Sequence, residues 1–540
     1  MNRTVAHEIV AMLAEAGVDK IFGIPGGGAT ANLVAAARDL GVEFVLTQHE
    51  TAAVIMAGIY GQRRGTVGVA VSAIGPGVAN LVNGVAHAYM DRLPVLVLAD
   101  RYPERVNAVA LRQRLDHIAM LAPVSKAQLT LHENTFRPTL RRAMRVALAD
   151  RQGPVFIDFP NNVASMTVEA ASAGEGPVRV APPPLASEQT MAEAVTLLAK
   201  AQRPVILAGL GALQLKEGTL GQLAAQLRAP VFVSPKAKGA IAADDPWFAG
   251  IFMGGKLEQH ILDKADRLLL VGYDPVELLP RPWHLKAPVV TVDVLPNVEE
   301  VFRAELEVTG HLPDSVHRLT RGLASVSSAW TADEVGAYRR MGREAIAVEV
   351  KGLSPDAVIQ ISRELAPRDT ILTTDVGANK LLILLLWDVY APNDYLMSNG
   401  LGTMGFAVPA AIAAKLAEPE RPVLCLCGDS GFLMRVQELL TARRQNTPIV
   451  WVVFADQGHS LISVKQQLKG LQPYGTDYPA PDYASLAAAF GLRYGRARTP
   501  EEFRQVLAEA LARADGEGTL IEANVDTSGY IRQFDAIREL

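Results

Sequence analysis

Two cysteines in 540 residues exclude a disulfide-stapled fold and a thiolate metal site. They are Cys425 and Cys427, and C-x-C spacing on a strand puts both on one face, as small core residues of a reducing compartment. Excess positive charge is missing as well. The 52 Lys and Arg are outnumbered by 57 Asp and Glu, which leaves a net charge of −5, with no basic footprint for nucleic acid and no polybasic patch for a membrane. Long apolar runs are absent: KLLILLLWDVY falls far short of the roughly 20 residues that span a bilayer. The opening MNRTVAHEIVAMLAEAGV has the pattern of an amphipathic helix, not of a signal peptide, so a cytoplasmic location is expected. Short-period repeats and long low-complexity tracts are also lacking. The composition, 49% hydrophobic and 20% charged, is that of a globular enzyme of two to four domains.

Strand-like runs alternate with helical patterns along nearly the whole chain. GVAVSAI, PVLVLAD, PVFIDF, PVILAG, RLLLVGY, VVTVDVL, TILTTD, PVLCLCGD and IVWVVFAD are short, rich in Val, Ile and Leu, and bounded by Gly, Pro or Asp. Such runs suit parallel strands buried on both faces, and their alternation with helices predicts α/β, doubly wound sheets. Residues 168–187, VEAASAGEGPVRVAPPPLAS, read as a linker by composition, and a softer break falls at 318–345. Three domains follow, at 1–167, 188–320 and 345–540.

One corner asks for explanation. The apolar run PVLCLCGDSGF stops on Gly428-Asp429-Ser430-Gly431, where a strand meets a helix expected from near Phe432. Ligands of open α/β sheets sit at the carboxyl ends of strands. The glycines permit a tight turn, and a helix start favours an anion. An anion beside a carboxylate needs a hard cation between them, Mg²⁺ or Ca²⁺ with oxygen ligands. The next strand, IVWVVFAD, ends on Asp456-Gln457-Gly458, 27 positions on. Adjacent parallel strands would bring both carboxylates to one edge, and Gly458 offers a carbonyl. Each acid alone also suits a helix or turn cap.

The order GDS…ADQG resembles the signature of thiamine-diphosphate-dependent enzymes, in the acetolactate synthase and pyruvate oxidase branch. Ser430 stands where that family usually has Gly. FVLTQHETAAVIMAGIYGQRRG, SAIGPGVANLVNGVAHAYMDRLPVLVL, TTDVGAN and SNGLGTMGFAVPAAIAA resemble four more of its segments in the right order. The resemblance implies a pyrimidine-binding, a central and a diphosphate-binding domain. It also implies a cofactor, thiamine diphosphate, held through Mg²⁺ at Asp429, Asp456 and Gly458. Glu50 becomes the acid beside the aminopyrimidine ring, and Pro25, Gly26, Pro76 and Asn80 lie near that ring. Gly402 offers it a carbonyl, and Met404 wedges the cofactor into a bent form. Gly377, Ala378, Asn379, Gly428, Ser430 and Gly431 reach the diphosphate. His459, Leu461 and Ile462 fall beside the cofactor, and Gln113 matches a glutamine of the acetolactate synthase pattern.

The same resemblance implies a homodimer or homotetramer with sites between subunits, and a 2-oxo acid substrate. Gly26, Gly27 and Gly28 read as a flexible loop lining the pocket, and His117 as a surface or interface histidine. Lys465 matters only if buried, where it would attract an anionic group. Gly209-x-Gly211 lacks the third glycine of a dinucleotide fingerprint, and the middle segment looks most like flavin-free catabolic acetolactate synthases and carboxyethylarginine synthase, so FAD is not expected. The expected reaction is decarboxylation with carboligation, best guessed as acetolactate from two pyruvates. The alternatives are a plain 2-oxo acid decarboxylase of the benzoylformate decarboxylase kind, an aldehyde lyase (LDHIAMLAPVSK is similar to benzaldehyde lyase), and a flavin-containing oxidase of the pyruvate oxidase type.

Overall fold

The apolar runs fold into three six-stranded sheets, all parallel, in a computed structural model that describes residues 3–169, 178, 180–324, 328–513 and 516–537. The first contains β1 (Lys20–Gly23), β2 (Glu43–Leu46), β3 (Gly68–Ser72), β4 (Val95–Arg101), β5 (Ala127–Thr130) and β6 (Val155–Pro160), in the order 2-1-3-4-6-5. The central sheet contains β7 (Pro204–Ala208), β8 (Val231–Val233), β9 (Phe248–Ile251), β10 (Arg267–Val271), β11 (Val289–Asp293) and β12 (Leu306–Thr309). Its order, 9-8-7-10-11-12, is that of a dinucleotide-binding fold. The third contains β13 (Ile371–Thr374), β14 (Tyr395–Leu396), β15 (Val423–Gly428), β16 (Val450–Phe454), β17 (Arg493–Ala497) and β18 (Thr519–Ala523). Its order, 14-13-15-16-18-17, repeats that of the first sheet.

Central strands such as β4, β15 and β16 are buried along almost their whole length, because helices cover both faces. Cys425 and Cys427 are both buried on β15 with sulfurs 3.7 Å apart. Residues 170–177 and 179 of the 168–187 stretch lie outside the described residues. The softer break at 318–345 is structured where described: Trp330 is fully buried, and Ala332–Ala345 is a helix opened by a Thr331–Glu334 capping box.

Six helices position the groups discussed below: α1 (Glu50–Arg64), α2 (Pro76–Met90), α3 (Ala378–Leu386), α4 (Ala407–Ala417), α5 (Asp429–Met434) and α6 (Ser460–Leu468). α1 is buried from Glu50 to Gly61, since it packs on its own sheet, on α2 and on the alanine-rich α4 of the third domain. Small residues make this possible. A Cβ on Gly61 would lie 2.3 Å from the Gly68 amide nitrogen.

The three domains meet at one side chain. Asp91, just past α2, is buried. Its carboxylate faces Lys236 of the central domain at 3.0 Å and His87 of α2 at 2.8 Å, and accepts the Asn399 N–H of the third domain at 3.0 Å. Burial alone would raise its pKa, but Lys236 and His87 more than offset this and hold it well below the usual carboxylate range. Asp91→Ala strands the Lys236 ammonium and should lower stability by about 3–5 kcal/mol in urea titration. A midpoint equal to wild type would show that the junction contributes nothing.

Candidate active site

Both outer sheets carry their polar groups at the carboxyl edge, beside the point where strand order reverses. In the first sheet this point lies between β1 and β3. The turn after β1 is pinned: the Gly26 N–H donates to Thr30 Oγ1 at 2.8 Å, the Gly28 N–H to Asp100 at 3.2 Å, and the Ala29 N–H to Asn161 at 3.0 Å. The loop expected to be flexible is therefore tied down by side chains far away in sequence. Pro25 and Gly26 are half-buried there, and a Cβ on Gly26 would lie 3.1 Å from Ala73, in the turn after β3.

Glu50 opens α1 and is only 8% exposed. Asn80 Nδ2, on α2, donates to Glu50 Oε2 at 3.0 Å, and the Asn80 carbonyl accepts the Thr51 hydroxyl at 2.6 Å. Glu50 and Asn80 are thus brought together, with Pro76 at the first position of α2. From the third domain, the buried Glu438 accepts the Gln48 N–H at 3.1 Å and steadies the turn that leads into Glu50.

Gln113 is exposed, has a left-handed backbone (φ 56°), and lies against Gly75, where a Cβ would meet the Gln113 carbonyl at 2.7 Å. His117 is no surface residue. It is 4% exposed, Nδ1 lies 2.8 Å from Asp158, and Nε2 faces the Gly75 N–H at 3.4 Å. A carboxylate 41 residues away draws the ring inward, and no local pattern announces it.

The second constellation lies between β13 and β15. α5 begins at Asp429, not near Phe432, because Asp429 Oδ1 accepts the Ser430 N–H at 2.7 Å and closes the turn early. Asp429 Oδ2 accepts the Gln457 N–H at 2.7 Å, which ties the ends of β15 and β16 together. Burial and the Asp429 carboxylate beside it push the Asp456 carboxyl well up, while Ser460 Oγ donates to it at 2.5 Å. The Gly458 carbonyl lies 3.4 Å from Ser430 Oγ. No group of three or more His, Cys, Asp or Glu suited to a metal occurs among the described residues. Two carboxylates with carbonyl oxygens remain, and that set suits an oxygen-loving ion such as Mg²⁺.

Asn379 faces this corner: its Oδ1 would lie 3.6 Å from a Cβ on Gly428. Its Nδ2 is buried without a hydrogen-bond partner, a donor that a ligand's acceptor atom would satisfy. Gly377 caps α3, and Ala378 and Asn379 are its first residues. Gly431 must be glycine, since a Cβ would come within 2.6 Å of Asp375. Gly402 is left-handed (φ 69°) and Met404 half-buried. His459 sits 6.0 Å from Tyr478, ring to ring, Leu461 is half-buried and Ile462 exposed. Lys465 is exposed.

Two participants escaped the sequence. Asp375 is fully buried, accepts the N–H groups of Gly405 (3.1 Å) and Ala407 (3.3 Å), and so sets the turn that carries Met404. Burial raises its pKa to about 6. The Tyr478 hydroxyl reaches Asp429 Oδ1 and Ser430 Oγ, each at 2.7 Å. Asp375 is the third residue of the quoted TTDVGAN, directly after a strand, and that place was the available signal, whereas nothing local marks Tyr478.

The turns at the central switch point are closed on their own backbone and side chains. The Gly209 and Gly211 N–H groups donate to the carbonyls of Val271 (2.9 Å) and Gly272 (2.8 Å), and the Leu210 N–H to Glu277 (2.7 Å). Arg92, from the first domain, reaches across the crevice to Asp274 at 2.7 Å.

Two neighbouring carboxylates and an unpartnered amide lie at the switch point of a parallel sheet, the place where a cofactor-dependent α/β enzyme binds its ligand. Residues 3–120 match the thiamine pyrophosphate enzyme N-terminal TPP binding domain, 191–319 the central domain and 375–523 the C-terminal TPP binding domain. The chain belongs to the thiamine pyrophosphate enzymes. It is 29% identical over 531 residues to a probable acetolactate synthase large subunit of Methanocaldococcus jannaschii, covering 94% of this chain and 89% of that one. It is 27% identical over 545 residues to an acetolactate synthase of Bacillus subtilis (97% and 94%), and 28% identical over 502 residues to a catabolic acetolactate synthase of Raoultella terrigena (90% and 89%).

Proposed function

We propose that this enzyme decarboxylates a 2-oxo acid and joins the remaining fragment to a second carbonyl compound, as an acetolactate synthase does. The observation that carries the reading is the pair of the buried Asp429 and the half-buried Asp456 with the orphan Asn379 amide beside it. Bound thiamine diphosphate supplies a carbon centre that accepts the electron pair released with CO₂. Asp429, Asp456 and the Gly458 carbonyl hold Mg²⁺, and Gly377, Ala378, Asn379, Gly428, Ser430 and Gly431 hold the phosphates. Met404 and the Gly402 carbonyl orient the rings, with His459, Leu461 and Ile462 alongside. Glu50 Oε2, fixed by Asn80, holds and returns a proton at the aminopyrimidine ring, with Pro25, Gly26 and Pro76 around it. Gln113 faces the substrate.

No hydrogen bond joins Glu50 or Asn80 to Asp429, Asp456 or Asn379 among the described residues, and each half-site has exposed apolar groups beside it. Val109 and Leu111 are 79% and 88% exposed near Gln113, and Leu471 and Tyr474 are 57% and 87% exposed near Tyr478. Such groups favour a partner surface, and a second copy of this chain is the simplest one. Two copies then complete two sites, and a tetramer is a pair of such dimers. The spent glycine amides of the central domain support a flavin-free enzyme. No described helix is long and apolar enough to cross a membrane.

The test is incubation with thiamine diphosphate, Mg²⁺ and a panel of 2-oxo acids, with CO₂ and carbon products both measured. Ligated product in proportion to CO₂ is expected from a colourless protein. Free aldehyde alone would make it a decarboxylase, and a bound yellow chromophore an oxidase.

A further inference from the structure

Beside the diphosphate corner, between the central and third domains, lies a cavity of about 200 Å³. Its outer wall is Phe252, Leu278, Leu279 and Trp283, and α3 contributes Leu381 and Leu384. The wall is braced: the Phe252 and Trp283 rings meet at 6.1 Å, and Trp283 packs on Phe302 at 5.1 Å. At the inner end are Val376 and Gly377, where the phosphate loop begins, with Leu461 of α6. Whatever sits here touches the place where the cofactor is held.

Three charged groups of the lining are engaged within the protein. Glu277 accepts from Ser234 Oγ at 2.6 Å and from the Leu210 N–H at 2.7 Å. Arg281 donates to the Gly254 carbonyl at 2.6 Å, and Lys380 to that of Ser398 at 3.0 Å. The Tyr273 hydroxyl is buried and has no partner. Burial raises its pKa well above the ordinary value, so it remains an O–H donor. A mainly apolar chamber with a buried, unpartnered hydroxyl in its wall matches an apolar body bearing an acceptor atom. An apolar cavity of about 150 Å³ admits benzene, so this one takes a ring or branched chain with an attached oxygen. A methyl group, all that pyruvate presents, would leave most of it empty.

We propose that this chamber seats the side chain of the acceptor, which is therefore an aldehyde or 2-oxo acid bearing a branched or aromatic apolar group, with the Tyr273 hydroxyl donating to its oxygen. The proposal rests on the carboligase reading above. With an aldehyde acceptor, the acyl carbon of the donor bonds to the acceptor's carbonyl carbon and the donor carboxylate leaves as CO₂. The acceptor oxygen takes up one proton to become a hydroxyl.

Two arms test it. In cofactor-free protein, benzyl alcohol serves as an inert probe read by tryptophan fluorescence. A saturable change is expected that disappears in Trp283→Phe and weakens about tenfold in Tyr273→Phe. Absence of saturable binding overturns the chamber whatever the activity. In the loaded enzyme with pyruvate as donor, benzaldehyde should exceed acetaldehyde in kcat/KM. Leu278→Trp, which fills the chamber, should cut the benzaldehyde value about tenfold while acetaldehyde ligation and CO₂ release stay within about twofold. An unchanged ratio of the two acceptors in that variant sinks the proposal. Failure of the wild type to release CO₂ from any 2-oxo acid would instead sink the carboligase reading, and the probe arm would still judge the chamber.

Discussion

Glu50→Gln should fold normally and release CO₂ from a 2-oxo acid about 10²–10⁴-fold more slowly than the wild type, the usual loss when a positioned acid–base group is removed. The substitution keeps the size of the side chain and an oxygen for the 3.0 Å bond from Asn80 Nδ2, so it removes the exchangeable proton and little else. Glu50 already lies inside α1 with its neighbours packed, so circular dichroism and the urea midpoint should barely move. Cofactor affinity should change far less than kcat, since the phosphate grip belongs to another domain. Turnover within tenfold of wild type would remove Glu50 from the chemistry.

Asp429→Asn should weaken thiamine diphosphate retention at fixed Mg²⁺ by about a hundredfold, at the upper end of what disturbing a metal site's supporting contacts does. The amide keeps an oxygen for the Ser430 N–H (2.7 Å), but the charge that attracts the ion is gone. The same change relieves the repulsion that drives the Asp456 pKa up but sets an amide N–H against the Gln457 N–H, so the melting temperature of the cofactor-free protein should move little. Equilibrium dialysis against thiamine diphosphate and thermal melts measure the two effects separately. Equal retention in variant and wild type would take the metal away from this corner.

What could be read in advance was what is local. Apolar runs of four to seven residues bounded by Gly, Pro and Asp marked the strands, and acids placed directly after them marked the edge where ligands sit. Asp429 and Asp456 were legible because each closely follows a strand and their spacing is that of one crossover. Glu50 became legible only through its resemblance to a known segment, since a glutamate opening a helix is commonplace. The partners were not legible. Asn80 is 30 residues from Glu50, Glu438 is 390 residues from Gln48, and Tyr478 is 49 residues from Asp429. Such pairings depend on how sheets stack, which periodicity does not encode. His117 was misread for the same reason, because its burial depends on Asp158. The helix expected from Phe432 began early because a side chain, not a hydrophobic repeat, sets its start.

The carboxylate of Asp91 has a consequence for how such a chain can be rebuilt. Its contacts come from three separate parts of the polypeptide, and none of the three can be replaced alone without leaving an ion in a dry place. Cassette exchange with a distant homologue should therefore give insoluble chimaeras unless Lys236 and the 398–400 turn travel with it. Successful grafts should be those whose breakpoints leave that trio intact.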